Sequence, residues 1–410
     1  MRVLIYSLNY EPELTGIGKY SGEMARWLAR SGCDVRVVTG FPYYPEWVVK
    51  DGFRSNWFRR ECLDGVDVIR CPLWVPSKPS GIKRIVHLAS FAFSSFFGLL
   101  ASVRWKPDLV WVVVPAYFCA PGALVLAKVC KAKSWIHIQD FEVDAAFELG
   151  ILKGERSRRV VLRVERALLR SFDKVTTISG KMLELAAAKG VASERVSLFR
   201  NWVRLPDRRK GNDSSVGGCY RSELRIPSDS VVALYSGNMG AKQGLEVLAE
   251  VARLLEDFES IYFVFCGNGS GRDGLEDLSK NLKNVRFMDL QPADRLIELL
   301  SFADIHLLPQ RADAADLVMP SKLTGMLASG RPVVATAHQG TEVASVVAGA
   351  GVVVSPGDAT EMARAVKRLS DDPELRERLG QAGRQYAEMC LDADKVLGDF
   401  LDHVRALVRA

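Results

Sequence analysis

Val231-Val232-Ala233-Leu234-Tyr235-Ser236-Gly237-Asn238-Met239-Gly240-Ala241-Lys242-Gln243-Gly244 is an apolar run that stops at a glycine-rich turn and hands the chain, with a lysine, to a helical pattern. An apolar run of strand length followed by such a turn and a helix is the start of a βα unit in a parallel sheet. The rhythm continues through strand-like stretches at 262–266, 285–288, 305–308, 332–335 and 351–354. It is already present earlier, at 3–6, 35–39, 66–70, 109–114, 134–138 and 174–178. Helical stretches at 18–31 and 121–130 lie between several of these.

A chain of 410 residues exceeds what one hydrophobic core usually holds. Two runs of the same rhythm, joined near Leu205-Pro206-Asp207, therefore predict an α/β protein of two Rossmann-like, doubly wound domains. They span 1–204 and 205–385, and a helix over 386–410 could pack back across the first. Ligands of such sheets bind beyond the carboxyl ends of the strands, so a cleft between the two domains is the expected site.

Composition excludes several classes. Hydrophobic content of 48% with 25% charged residues is that of a globular chain. Eight scattered cysteines form no CxxC pair, and Cys119 and Cys266 sit in apolar runs, as reduced core thiols do. Five histidines lack HxxxH or HExxH spacing, so no metal site is expected. The opening Met1-Arg2-Val3-Leu4-Ile5-Tyr6 runs straight into a strand, with no secretion-signal pattern. Residues 1–205 carry 31 Lys+Arg against 19 Asp+Glu, a net +12, and the remainder 24 against 30, a net −6. A basic half joined to an acidic half points the basic half at something anionic.

Two segments bear on a membrane. Residues 85–103 have the length and apolarity of a span but contain His87 and four serines; a buried core helix is the preferred reading, a helix in the bilayer interface the other. Residues 153–170 set six arginines among valines and leucines, a basic amphipathic helix suited either to an anionic membrane or to plain solvent. Nucleic acid is not an expected partner, because the basic region lacks interleaved aromatics and any known binding module.

Four motifs carry possible chemistry. Tyr10-Glu11-Pro12-Glu13-Leu14-Thr15-Gly16-Ile17-Gly18 lies between a strand and a helix, where Gly16 and Gly18 let backbone N–H groups approach phosphate or sugar, or simply make a tight turn. Lys242 follows the turn quoted above and suits diphosphate neutralisation; a solvated lysine is the alternative, and Gln243-Gly244 excludes a P-loop. Met319-Pro320-Ser321-Lys322-Leu323 opens a helix that Ser321 can cap, and its N-terminus would hold a diphosphate, with Asp313 and Asp316 just upstream. His137-Ile138-Gln139-Asp140 ends a strand, with His137 and Gln139 on one face and Asp140 at the tip, where it can orient an acceptor hydroxyl or cap the next helix.

These pieces, together with Phe265-Cys266-Gly267-Asn268-Gly269, Phe302-Ala303-Asp304, the segment Ala328-Ser329-Gly330-Arg331-Pro332-Val333-Val334-Ala335 and Gly340-Thr341-Glu342, resemble family 4 of the retaining GT-B glycosyltransferases over nearly the whole chain. The opening motif and Ile138-Gln139-Asp140-Phe141-Glu142-Val143-Asp144 look like the colanic-acid fucosyltransferase branch of exopolysaccharide synthesis.

The resemblance implies transfer of a sugar from a GDP- or UDP-sugar, a substrate rather than a cofactor, to a lipid-linked saccharide, without a metal. The enzyme would be cytoplasmic and peripheral on the inner membrane face. Lys242 would neutralise the leaving diphosphate and Asp140 would occupy the family's acidic or histidine position. Gly16, Gly18, Asn238, Gly267, Asp316 and Glu342 would line the donor, and backbone N–H groups at Ser321, Lys322 and Leu323 would hold the distal phosphate. Two features depart from the pattern: of two glutamates eight residues apart, the second falls at Gly325 and the first near Leu317, and an early arginine of the phosphate loop is replaced by Asn238. The rival readings are a nucleotide-sugar epimerase and a non-catalytic scaffold of the same fold. A glycan phosphorylase fits poorly, since no lysine segment for a pyridoxal cofactor stands out.

Overall fold

The computed structural model describes residues 1–13, 16–54, 57–78, 80–114, 116–141, 155–205, 218–240, 243–292, 295–311 and 320–409. They form two compact units, Met1–Arg200 with Lys395–Ala410, and Asn201–Asp394. Lys153, Lys242, Asp313 and Asp316 lie outside the described residues.

The first unit is built on eight strands: β1 (Arg2–Tyr6), β2 (Asp34–Gly40), β3 (Arg59–Leu63), β4 (Val66–Cys71), β5 (Leu109–Val114), β6 (Lys133–Ile138), β7 (Lys174–Thr177) and β8 (Val196–Leu198). Their order is β3-β4-β2-β1-β5-β6-β7-β8, all parallel except β3, which runs antiparallel to β4. Its helices are α1 (Gly16–Arg30), α2 (Gly81–Val103), α3 (Ala120–Cys130), α4 (Glu155–Ser171) and α5 (Gly180–Ala188). Helices cover both faces of such a sheet, so its inner strands read as unbroken apolar runs, and all six residues of β5 are buried. β3 and β8 were not legible. The first is a charged edge strand with three of its five residues exposed, and the second has only three residues.

The second unit contains α6 (Gly218–Glu223), β9 (Val231–Ser236), α7 (Glu246–Leu254), β10 (Ile261–Cys266), α8 (Arg272–Ser279), β11 (Val285–Met288), α9 (Leu296–Phe302) and β12 (Ile305–Leu308). It continues through α10 (Lys322–Ala328), β13 (Val333–Thr336), α11 (Glu342–Val347), β14 (Gly351–Val354), α12 (Ala359–Asp371) and α13 (Pro373–Cys390). Its six strands are all parallel, in the order β11-β10-β9-β12-β13-β14. Winding reverses at β9/β12, as it does at β1/β5 in the first unit, and those switch points are where doubly wound sheets bind ligands.

The helical pattern at the chain's end is not one helix. It breaks after Cys390, where Val203 donates to Leu391 O (2.8 Å) and accepts from the Ala393 N–H (3.1 Å), and resumes as α14 (Ala393–Arg409). From Lys395 onward the chain belongs to the first unit, so the terminal helix does pack back onto it. Phe400 of α14 lies 4.7 Å from the Trp111 ring, 5.2 Å from Trp135 and 4.9 Å from Phe199.

α2 reverses the preferred reading of 85–103. Only a third of its apolar window is buried, and the buried residues include His87, Ser94, Ser95 and Ser102, while Phe93, Phe96 and Phe97 are exposed.

The four-ring cluster around Phe400 makes a direct prediction. Phe400→Ala should cost the first unit about 3–5 kcal/mol, read by urea unfolding monitored through tryptophan fluorescence. A change below about 1 kcal/mol would mean that α14 is not part of that core.

Candidate functional site

The site-forming turns of the second unit leave β9 and β10 side by side. They are joined through the backbone: Gly237 N–H donates to Cys266 O (2.9 Å), Met239 N–H to Asn268 O (2.9 Å) and Gly271 N–H to Met239 O (2.7 Å). A Cβ at position 267 would stand 1.9 Å from Gly237 O. No side chain fits there, so the glycine demanded by the motif serves the contact of one turn with the other. Arg272, which no motif singled out, braces the second turn: it donates to Gly267 O (3.0 Å) and Asn268 Oδ1 (2.7 Å), and pairs with Asp289 and Glu276.

A cation reaches this turn from α10. Lys322 Nζ donates to the Tyr235 hydroxyl (2.8 Å) and lies 4.2 Å from the centre of that ring. The Tyr235 hydroxyl in turn donates to Asn238 O (2.6 Å). A Cβ on Gly237 would stand 3.6 Å from Lys322 Nζ. Among the described residues no carboxylate pairs with Lys322, and burial pushes its ammonium pKa down to about 7. An unneutralised cation beside a glycine turn at a switch point is suited to an anion.

The rest of that motif behaves differently from its sequence reading. Ser321 makes no side-chain capping bond. The Leu323 N–H is donated to Pro320 O (3.0 Å) and its side chain is fully buried, so Leu323 packs the core rather than offering an amide to a phosphate. Gly325, where the resemblance expects a glutamate, faces Leu300: a Cβ there would stand 3.0 Å from Leu300 Cδ1. Glu342 is the first residue of α11, whose N-cap Thr341 accepts from the Ala344 N–H (3.2 Å).

In the first unit, the loop after β1 is organised by a buried acid, Glu13, to which the motif alone assigns no role. Glu13 accepts from the Tyr43 and Tyr44 N–H groups (3.0 Å each) and from Asn9 Nδ2 (2.9 Å); burial still raises its pKa above the ordinary carboxylate value. A Cβ on Gly18 would stand 2.7 Å from Glu13 Cβ, so Gly18 makes room for this acid. Gly16, at φ +58°, opens α1 with free space around it. Arg70, fully buried, donates to Glu11 O (2.6 Å) and ties the loop to β4.

At the end of β6 the alternation holds. Gln139 Nε2 donates to His137 Nε2 (2.8 Å), which leaves Nδ1–H to donate to Thr176 Oγ1 (3.0 Å). Burial pushes the His137 pKa down to about 3, and the ring stacks on Trp111 at 5.2 Å. It is a neutral structural group, and the half-buried Asp140 follows it two residues beyond the strand.

Comparisons with known proteins agree with this architecture. Residues 15–202 match the glycosyl transferase 4-like domain and residues 220–386 the glycosyl transferases group 1. The chain is 42% identical, over 99% of its length and all of the relative's, to WcaI of Escherichia coli K12, named as a glycosyl transferase of colanic acid biosynthesis. It is 25% identical to the glycogen synthase of Mycobacterium tuberculosis, over 94% of the chain and 90% of that protein. Among solved structures, the sucrose-phosphate synthase of Thermosynechococcus elongatus aligns with a TM-score of 0.75 at 17% identity, over 99% of this chain and 98% of that one. Anabaena HepE in complex with UDP-glucose aligns at 0.70 and 14%, over 99% and 100%.

Two doubly wound units with glycine turns at their switch points define a GT-B architecture. The chain belongs to the GT-B glycosyltransferase family, and membership implies a nucleotide-sugar donor and a saccharide acceptor.

Lys322 gives the site a pH signature. A diphosphate bound there would favour the charged ammonium, so affinity should be full below the free pKa near 7 and decline above it, by up to about tenfold per pH unit. Calorimetric titration with a nucleotide-sugar, whose phosphates stay ionised throughout this range, should show that decline. In Lys322→Met the profile should be flat and the affinity weaker; a wild-type profile in that variant would remove Lys322 from the site.

Proposed function

We propose that this glycosyltransferase moves a sugar, with retention of configuration and without a metal, from a GDP- or UDP-sugar to a lipid-linked saccharide in exopolysaccharide synthesis of the colanic-acid type. One observation carries the reading: the interlocked Gly237 and Gly267 turns with Lys322 beside them, which form a cationic seat at a switch point. The full-length similarity to WcaI supports the biosynthetic setting.

In this reading Lys322 and the Asn238 turn take the charge of the leaving diphosphate together with Lys242. Ser321 and Glu342 meet the distal phosphate or the sugar, and Asp316 stands in for the first family glutamate. Gly325, with no side chain, leaves the ribose without its usual acidic contact, and a Cβ there would already press on Leu300 Cδ1 at 3.0 Å. Gly16, in open space at the start of α1, and Asp140 at the end of β6 serve the acceptor and the reacting carbon. The departing phosphate accepts the acceptor's proton on the face it leaves, so one face of the sugar is used throughout. The exposed arginines of α4, Arg158, Arg159 and Arg163 among them, hold the enzyme as a peripheral protein on the anionic inner face of the cytoplasmic membrane.

A thermal-shift panel of UDP, GDP, CDP and their common sugars, with and without Mg²⁺, tests the donor half. One nucleotide at about 100 times its dissociation constant should add about 2.7 kcal/mol of stability, equally in both conditions. A shift that requires Mg²⁺ would contradict metal independence, and no shift at all would favour a non-catalytic scaffold. Lys242→Ala should lower turnover by about 100-fold or more with an unchanged melting temperature; wild-type turnover would overturn its role.

A further inference from the structure

α2 is amphipathic in the wrong sense for a helix that faces water. Its inner face sets His87 and three serines beside Phe91 and Leu99 and is tied into the first unit. Ser95 Oγ bonds the Tyr6 hydroxyl (2.5 Å), Ser94 Oγ donates to Pro72 O (2.5 Å), and His87 Nδ1 meets Trp74 O (2.6 Å). Its outer face is apolar: Ile82 is 78% exposed, Phe93 75%, Phe97 51% and Leu100 50%. Separated by steps of three and four or their sums, these residues form one stripe along a 23-residue helix. Phe58, ahead of β3, extends it through an edge-on contact with Phe97 at 6.2 Å. A soluble surface rarely leaves so large an aromatic patch in water without a partner.

Charge identifies the partner. Residues 68–107 contain no aspartate or glutamate but six cations, Arg70, Lys78, Lys83, Arg84, Arg104 and Lys106. Apart from the buried Arg70, all are exposed and flank the two ends of α2. A second copy docked through this stripe by two-fold symmetry would bring the same cations together with no acid to meet them. A bilayer rich in anionic phospholipid supplies acyl chains for the phenylalanines and phosphates for the lysines and arginines. The helix cannot leave the unit to span a membrane without breaking the bonds of His87, Ser94 and Ser95, so it lies in the plane of the surface.

We infer that α2 is an in-plane anchor, inserting its Phe93–Phe96–Phe97 face into the acyl boundary of an anionic phospholipid leaflet while Lys78, Lys83, Arg104 and Lys106 contact the headgroups. The inference deepens the reading of a membrane-borne acceptor, on which its purpose rests, and it differs from docking by α4 in resting mainly on apolar insertion, which salt does not screen.

The test is co-sedimentation with phosphatidylethanolamine/phosphatidylglycerol vesicles at low and high salt. Wild type should bind, and Phe93→Ser/Phe96→Ser/Phe97→Ser should lose at least about tenfold in partitioning at both salts. Arg158→Gln/Arg159→Gln/Arg163→Gln should lose only the salt-sensitive part. Should the triple serine variant misfold, Phe96→Trp decides alone: quenching by brominated acyl chains supports insertion, and unquenched emission overturns it. Equal binding by the folded serine variant, no binding by wild type, or a lipid-free dimer abolished by the serine changes would each overturn the anchor. Nucleotide binding measured without vesicles stays independent of these results, so the anchor can fail while the transferase reading stands.

Discussion

Gly237 O occupies the place where a side chain at position 267 would begin, and the second unit's ligand face depends on that contact. With the two turns in backbone contact, Gly237, Met239 and Gly271 spend their N–H groups on each other's strands, and Arg272 clamps the outer turn. The inner turn is then fixed firmly enough for Tyr235 to hold Asn238 O and for Lys322 to rest on Tyr235. An ammonium placed this way, half-buried and without a carboxylate among the described residues, is held at a cost that a bound dianion would offset. The same geometry that restricts position 267 to glycine thus leaves a positive charge waiting at the switch point.

The first unit uses the opposite device. There the loop after β1 is held by a buried carboxylate, Glu13, that takes three N–H donors and requires Gly18 to be small. Arg70 fixes the backbone of the same loop, and Arg26 fixes the Glu11 carboxylate at 2.7 Å. The unit's strongly basic balance is not spread evenly: α2 and its flanks carry cations without any acid, around an aromatic stripe turned outward.

Much of this was legible in the residues, for a physical reason. Inner strands of parallel sheets are covered on both faces, so 109–114 and 231–236 announce themselves as unbroken apolar runs. The pairing of His137 with Gln139 followed from the two-residue period of a strand. What escaped was long-range or orientational. Lys322 meets Tyr235 across 87 positions, and nothing in Pro320-Ser321-Lys322 says that the side chain, rather than the amides, turns toward the glycine turn. That the Leu323 N–H is committed to Pro320 O is a matter of turn geometry, which the residue types do not carry. The composition of 85–103 favours a core helix over an interfacial one; only the partners of Ser94 and Ser95, supplied by Pro72 and Tyr6, decide which face points inward. β3 escaped because an edge strand of mostly exposed residues, three of them charged, has no apolar signature.

The proposed function seats a nucleotide-sugar on the turn made by Gly237–Gly240 beside Lys322. Amide hydrogen exchange with saturating UDP- or GDP-sugar, whichever binds, addresses it most directly. Slowed exchange confined to the segments around 237–244, 267–271 and 320–323 is the expected result. Protection elsewhere in the chain, with those three segments unchanged, would contradict it.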